Sequence, residues 1–350
     1  MTSSSNRTKP PRLLPVLFAI ALVVAAVLVV RSTHFSRPSL FVNRTPSISK
    51  PLFANGAWFW IEQRDSAHAL LVRVDASGTK HEIASDDQIG DFAVGNDHLL
   101  VISQSAKMWR VRLTDSNGMK PLEIWSGEEQ PHGALIAGNS AYRMRPKPAA
   151  MPNGEVFPPL GPQVELVSSP LGAGESRVIS SIMEPLGDAV IGVFDEAIWL
   201  SARRLTTHGV TTIYRVQIAG GTAQRVVAET GYQSAVLTPT GALYWTAPSC
   251  EAENFDEIVC IRRLSPSGTS ETLNEWLPAR GRLYATNHGV LYVDGTVNET
   301  AWPVTTHADL PTPDPYSNGY FVLAAGENDL LMRRKNDPNA MSAVYRVWER

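Results

Sequence analysis

Arginines, histidines, cysteines and carboxylates are the side chains here that could bind or react, and their spacing decides what each can do. Eight histidines occur, with no HxH, HExxH or CxxC arrangement, so a metal centre would need ligands converging from distant segments. The expectation is no metal and no cofactor. No GxSxG turn is present to hold a serine nucleophile. Glu128, Glu129, Glu184, Glu251, Glu253, Asp256 and Glu257 fall near long connections. A pair about 5 to 9 Å apart could serve as acid and nucleophile or base in glycoside chemistry. Exposed acidic loops are the commoner explanation, and no catalytic residue is assigned. Arg143 and Arg145 alternate on a predicted strand, with Arg203 and Arg204 on a nearby loop. Such a cluster could grip a carboxylate or phosphate bidentately. The competing reading is strand-end cations facing solvent. With His132 and His208 on long connections, these four arginines complete the candidate ligand-binding set.

Two cysteines, Cys250 and Cys260, bracket the acidic segment EAENFDEIV. In an oxidising compartment they are expected to form a disulfide across this loop. Closing so short a loop stabilises by about 3 kcal/mol in the chain-entropy model. A metal site on two cysteines without neighbouring histidines is the poorer alternative.

The elements that must position these groups repeat. An apolar stretch, a short turn rich in Gly, Asn or Asp, and a second apolar stretch recur seven times, beginning PLFANGAWFWIE and ending FVLAAGENDLLMRR. The turns fall near Asn55, Gly95, Gly138, Asp195, Thr240, His288 and Gly326, at spacings of 40, 43, 57, 45, 48 and 38 residues. Short strands with a period of roughly 40 to 50 residues are what β-propeller blades require. Second hairpins follow most copies, among them ALLVRVDASGTKHEIA and TTIYRVQIAGGTAQRVVA. The fold class is therefore all-β: a seven-bladed propeller of four-stranded antiparallel blades. Calling the strands of a blade A to D from the axis outward, the sixth blade has only GTVNETAWPV for its outer strands, and Pro303 there fits an edge. The last blade ends after SAVYRVWER, so SLFVNR, residues 39–44, is expected to complete it and close the ring.

Connection lengths are lopsided. The A–B and C–D turns are tight, whereas the B–C and D–A connections include residues 145–163, 203–210, 248–257 and 307–319. These long connections share one face, and ligands tend to meet loops held by a rigid scaffold. That face is the expected binding surface.

Before the repeats, Leu13 to Val30 is an uninterrupted apolar run preceded by Arg7, Lys9 and Arg12. As a helix it reaches about 27 Å, close to the hydrocarbon thickness of a bilayer. The basic flank keeps residues 1–12 cytoplasmic and exports the rest. The expected organisation is a tail at 1–12, a transmembrane helix at 13–31, a linker with the ring-closing strand at 32–47, and the propeller at 48–350. A cleaved signal peptide is the alternative. Net charge is −3 with 19% charged residues and no basic tract, which gives no footprint for nucleic acid.

The outer hairpins LVRVDASGTKHEIA and YRVQIAGGTAQRVVA, together with LTPTGALYW (Leu237 to Trp245), carry a resemblance to bacterial TolB-like and YncE-like β-propellers. The last segment is similar to the SPDG-type turn of TolB-like blades. The resemblance implies an extracytoplasmic, repeat-built binding domain and transfers no catalytic residues, because these families share a scaffold and not one activity. The expected function is a membrane-anchored binding or scaffolding module for a protein, peptide or cell-envelope ligand. The enzymatic alternative is a glycan hydrolase or lyase with carboxylates at the central mouth.

Overall fold

The computed structural model describes residues 48–65, 67–146, 164–172, 174–182, 189–203, 210–230, 234–248, 258–278, 281–286, 289–293, 301–303, 320–326, 329–334 and 342–346. The apolar N-terminal run, the expected closing strand at 39–44 and most of the long connections lie outside these residues. Among the described residues no helix is long and apolar enough to cross a membrane.

Every described sheet is antiparallel, and each follows chain order. The first contains Ile48–Ala54, Ala57–Gln63, Ala69–Val74 and Lys80–Asp86. The second contains Gln88–Gly95, His98–Ser105, Met108–Asp115 and Leu122–Gly127. His132–Ala137, Ser140–Pro146, Val164–Pro170 and Arg177–Ile182 form the third. The fourth and fifth start at Ala189–Phe194 and Ala235–Leu237 and are also four-stranded. Three described strands make up each of the last two, which start at Arg282–Thr286 and Tyr320–Ala325. In the sixth, the outermost described strand is Ala301–Pro303, with Pro303 opposite Leu291. The first strands of successive sheets touch one another in order, and Tyr320–Ala325 touches Ile48–Ala54. This is the radial arrangement of a β-propeller.

The core lies between sheets. Along Ala57–Gln63, side chains alternate faces with period two. Trp58 and Trp60 pack with Ala324 and Leu331 of the last sheet. Ala57, Phe59 and Ile61 pack with Phe92, Leu99 and Val101 of the second. A strand buried on both faces reads as a continuous apolar run, which is why AWFWI shows no polar alternation. Equivalent clusters fill the contacts between the second and third sheets, the third and fourth, the fourth and fifth, and the fifth and sixth. Polar contacts add to this at the axis. Asp91 pairs with Lys50 of the first sheet at 3.0 Å and accepts the Ala134 amide of the third at 3.0 Å.

One five-residue turn recurs. In Asp75–Thr79, Asp115–Met119, Thr238–Ala242 and Ser265–Thr269, the fourth residue is a glycine at φ between 79° and 88°. Its amide donates to the first residue's carbonyl at 2.9 Å each time. The first residue's side-chain oxygen accepts the fifth residue's amide, at 3.0, 2.8, 3.0 and 2.9 Å respectively. Asp, Ser or Thr at the first position supplies that oxygen, and glycine takes the left-handed conformation without steric cost. At Asp75 the Ser77 hydroxyl, followed by the Thr79 amide and His81, holds the carboxyl down at about 2.

Candidate functional site

The first strands of the sheets enclose the propeller's channel. A cavity of about 420 Å³ lies within it, lined from the first, fourth, fifth, sixth and seventh sheets. Its wall includes Leu52 and Phe53, Val193, Leu237 and Pro239, and Tyr284 and Thr286. These residues sit in the last positions of the first strands or in the A–B turns that follow, so the cavity lies toward the tight-turn rim. Phe53 closes the seam between the first and last sheets. Its Cγ would lie 2.8 Å from a Cβ placed on Gly326, so only glycine leaves the ring room there. Phe53 also meets Trp58 edge-on, with centroids 5.1 Å apart.

The wall's polar side chains are already engaged. The Tyr284 hydroxyl donates to the Leu323 carbonyl at 2.9 Å, crossing from the sixth sheet to the seventh. Thr286 Oγ1 donates to the Gly289 carbonyl at 3.0 Å, and Thr238 Oγ1 accepts the Ala242 amide. Tyr284 is the one titratable group among the described lining residues. Burial pushes its hydroxyl up, opposed by the nearby Arg282, so it stays neutral at physiological pH. Leu52 is 37% exposed. The wall's side chains are mostly apolar and carry no charge, while the first strands that border it are sheet edges whose backbone is paired on one side only.

The predicted site residues are distributed differently. Arg143 and Arg145 do alternate on one strand, Ser140–Pro146. Arg143, however, is 1% exposed. It projects from the same strand face as Ala141, which packs into the cluster against the second sheet. Its Nη1 donates to Ser169 Oγ at 2.8 Å. It is therefore neither a strand-end cation facing solvent nor a group presented on the long-connection face. Arg145 is engaged by Glu165 through Nε at 3.0 Å and Nη2 at 2.9 Å. Residues 145 and 165 are directly opposed in the ladder, which places their side chains on one face. His132 begins the first strand of the third sheet and is half-buried. Arg203 ends the second strand of the fourth sheet. Arg204 and His208 lie outside the described residues, so the six are not shown converging on one site.

Glu128 and Glu129 are exposed, and the other acids weighed for glycoside chemistry lie outside the described residues. Among the described residues no three His, Cys, Asp or Glu side chains form a metal-holding group. Cys260 is buried at 2% exposure in the cluster between the fourth and fifth sheets, opposite Ala247. Cys250 lies outside the described residues. Sequence reasoning missed the channel cavity. Its signal was present in the apolar ends of PLFANG, VIGVFD, AVLTPTG and LYATNHG, but the same letters serve equally well as blade packing.

No protein-family model matches the chain, and no curated protein matches its sequence significantly. Solved structures do resemble its fold. An oligogalacturonate lyase in complex with manganese is similar at a TM-score of 0.57 and 12% identity, over 84% of this chain and 86% of that one. An acylaminoacyl peptidase of Pyrococcus horikoshii is similar at 0.56 and 11% identity, over 89% of this chain and 52% of that one. The chain thus spans about half the length of that peptidase. The computationally designed Ika8 protein is similar at 0.51 and 10% identity, over 88% of this chain and 98% of that one. At such identities the likeness concerns the fold alone, and it is to propeller-type folds that this chain is similar.

Proposed function

We propose that this chain is a membrane-anchored binding module. Residues 13–31 hold it in the bilayer, residues 1–12 stay cytoplasmic, and a seven-bladed propeller stands on the other side. The propeller receives an uncharged, apolar segment of a partner protein in its channel mouth. The observation that carries the binding reading is the cavity wall: apolar side chains from five sheets, with every polar side chain already bonded within the protein. A rigid, preformed apolar recess with few polar groups is the usual form of a binding site. The enzymatic alternative places paired carboxylates at the central mouth, and the described wall has none, so binding is proposed over it. The membrane placement rests on the apolar run and its basic flank.

The test is site-specific photocrosslinking in cells, with a photoreactive phenylalanine analogue replacing Leu52 in the channel or Glu129 on the opposite face. A discrete crosslinked partner at position 52, lost when Leu237→Arg is added, is expected. Crosslinking at position 129 alone would overturn the choice of site. Protease protection in spheroplasts tests the topology: digestion of the propeller only after lysis would refute the exported arrangement.

A further inference from the structure

Among the described residues Arg143 is a buried cation without a counter-charge. Arg112, Arg145, Arg215 and Arg263 each meet a carboxylate: Asp86, Glu165, Asp195 and Glu271. Arg143 is more deeply buried than any of them, yet among the described residues no acidic side chain pairs with it. Its Nη1 donates to Ser169, while its Nε is buried with no partner. Its nearest charged influence is Arg145, which repels it and is itself already held by Glu165. Burial, reinforced by Arg145, lowers the guanidinium to about 10, so it still carries its charge at neutral pH.

An uncompensated buried charge is among the costliest groups a fold can hold. A lysine in such a place could shed its proton, but a guanidinium does not within the physiological range. Among the described residues no side chain supplies the compensating charge. The surroundings suit a compact anion. Ser169, 1% exposed, shares a hydroxyl–hydroxyl hydrogen bond of 2.7 Å with Ser176. Ser176 is exposed in the turn after Val164–Pro170, so a line of hydroxyls runs from the guanidinium to the surface at the tight-turn rim. Hydroxyls can turn their hydrogens toward an anion and still accept from elsewhere.

We infer that Arg143, with Ser169 and Ser176, forms an anion site between the second and third sheets that takes a small monovalent anion of chloride size. The anion neutralises the guanidinium and accepts from its unpartnered Nε. The inference is independent of what the channel binds, because it concerns a different pair of sheets and a different chemistry.

Bromide stands in for chloride in the test. Crystals of the propeller-bearing chain soaked in bromide should show an anomalous peak within hydrogen-bonding distance of Arg143 Nε, absent in Arg143→Met. In solution, melting temperature is followed as chloride replaces gluconate at constant ionic strength. The wild type should rise saturably by roughly 3 °C, and Arg143→Met should show no chloride dependence. Should Arg143→Met fail to fold, Ser169→Ala keeps the cation and should weaken the chloride response at least threefold. An equal chloride response in wild type and variants, or a structure in which Nε is met by water with no bromide nearby, would overturn the site.

Discussion

Two glycines in the same kind of turn should respond very differently to the same methyl group. Gly118 and Gly268 each occupy the fourth position of the recurring five-residue turn, at φ of 79° and 88°. Alanine at either position must adopt the left-handed conformation, which costs about 1–2 kcal/mol, partly offset by the unfolded chain's lost freedom. Around Gly268 nothing lies within 4 Å of an added Cβ, so Gly268→Ala should cost about 1 kcal/mol in total. At Gly118 the added Cβ would collide with the Ile83 carbonyl oxygen of the first sheet and lie 2.9 Å from Ile83 Cγ2. A backbone oxygen cannot swing aside as a side-chain end can. The turn must therefore lift from its neighbour, straining the adjacent hydrogen bond from Arg73 Nη1 to Asn117 Oδ1. Overpacking of this kind adds about 1–3 kcal/mol, bringing Gly118→Ala to about 3 kcal/mol. Urea unfolding followed by tryptophan fluorescence, with a common slope for all variants, measures the difference. Equal losses for the two substitutions would mean that the second sheet's turn does not rest on the first, and the radial packing would fail at that seam.

Asp75, held at about 2 against an ordinary 3.8, contributes stability that is fully present above pH 4 and lost as pH falls toward 2. Melting curves between pH 5 and 2 should show Asp75→Ala less acid-sensitive than wild type, and identical pH profiles would refute this. Tyr284→Phe removes the bond to the Leu323 carbonyl between the sixth and seventh sheets and should cost about 1 kcal/mol in the same urea assay. No change would mean that this bond contributes nothing to the seam. Cys250 and Cys260 are expected to be disulfide-linked in an oxidising compartment. Thiol labelling under denaturing conditions, with and without reductant, should reveal two thiols only after reduction, and two reactive thiols without it would dismiss the bond.

The strands were legible because propeller blades obey a short-range rule. Each of the seven inner hairpins coincides with a segment such as DFAVGNDHLLVIS, whose turn residues and β-branched or aromatic flanks act locally. Side-chain environment was not legible, and Arg143 shows why. On a strand in contact with neighbours on both faces, an arginine and the methionine after it alternate faces yet both are buried: Arg143 at 1% and Met144 at 1%. Period-two alternation says which face a residue takes. It cannot say that a second sheet covers that face, since the covering residues come from the preceding repeat, some forty positions earlier. The channel cavity escaped for the same reason, because five first strands and the turns after them build one wall, from Pro51 to Gly326, 275 residues apart. Loop length pointed to the opposite rim, whose long connections lie mostly outside the described residues.

The five-residue turn also bears on how such a chain can change over generations. It demands an oxygen-bearing side chain at its first position and glycine at its fourth, and these two close the turn's internal hydrogen bonds. In the first, second and fifth sheets the outer hairpin's turn thus rests on two letters, while much of the rest of each blade is set by apolar packing where sheets meet. Drift at nearly every site is compatible with an unchanged ring. Information that thin leaves little for a sequence comparison to hold, while the backbone geometry it encodes persists.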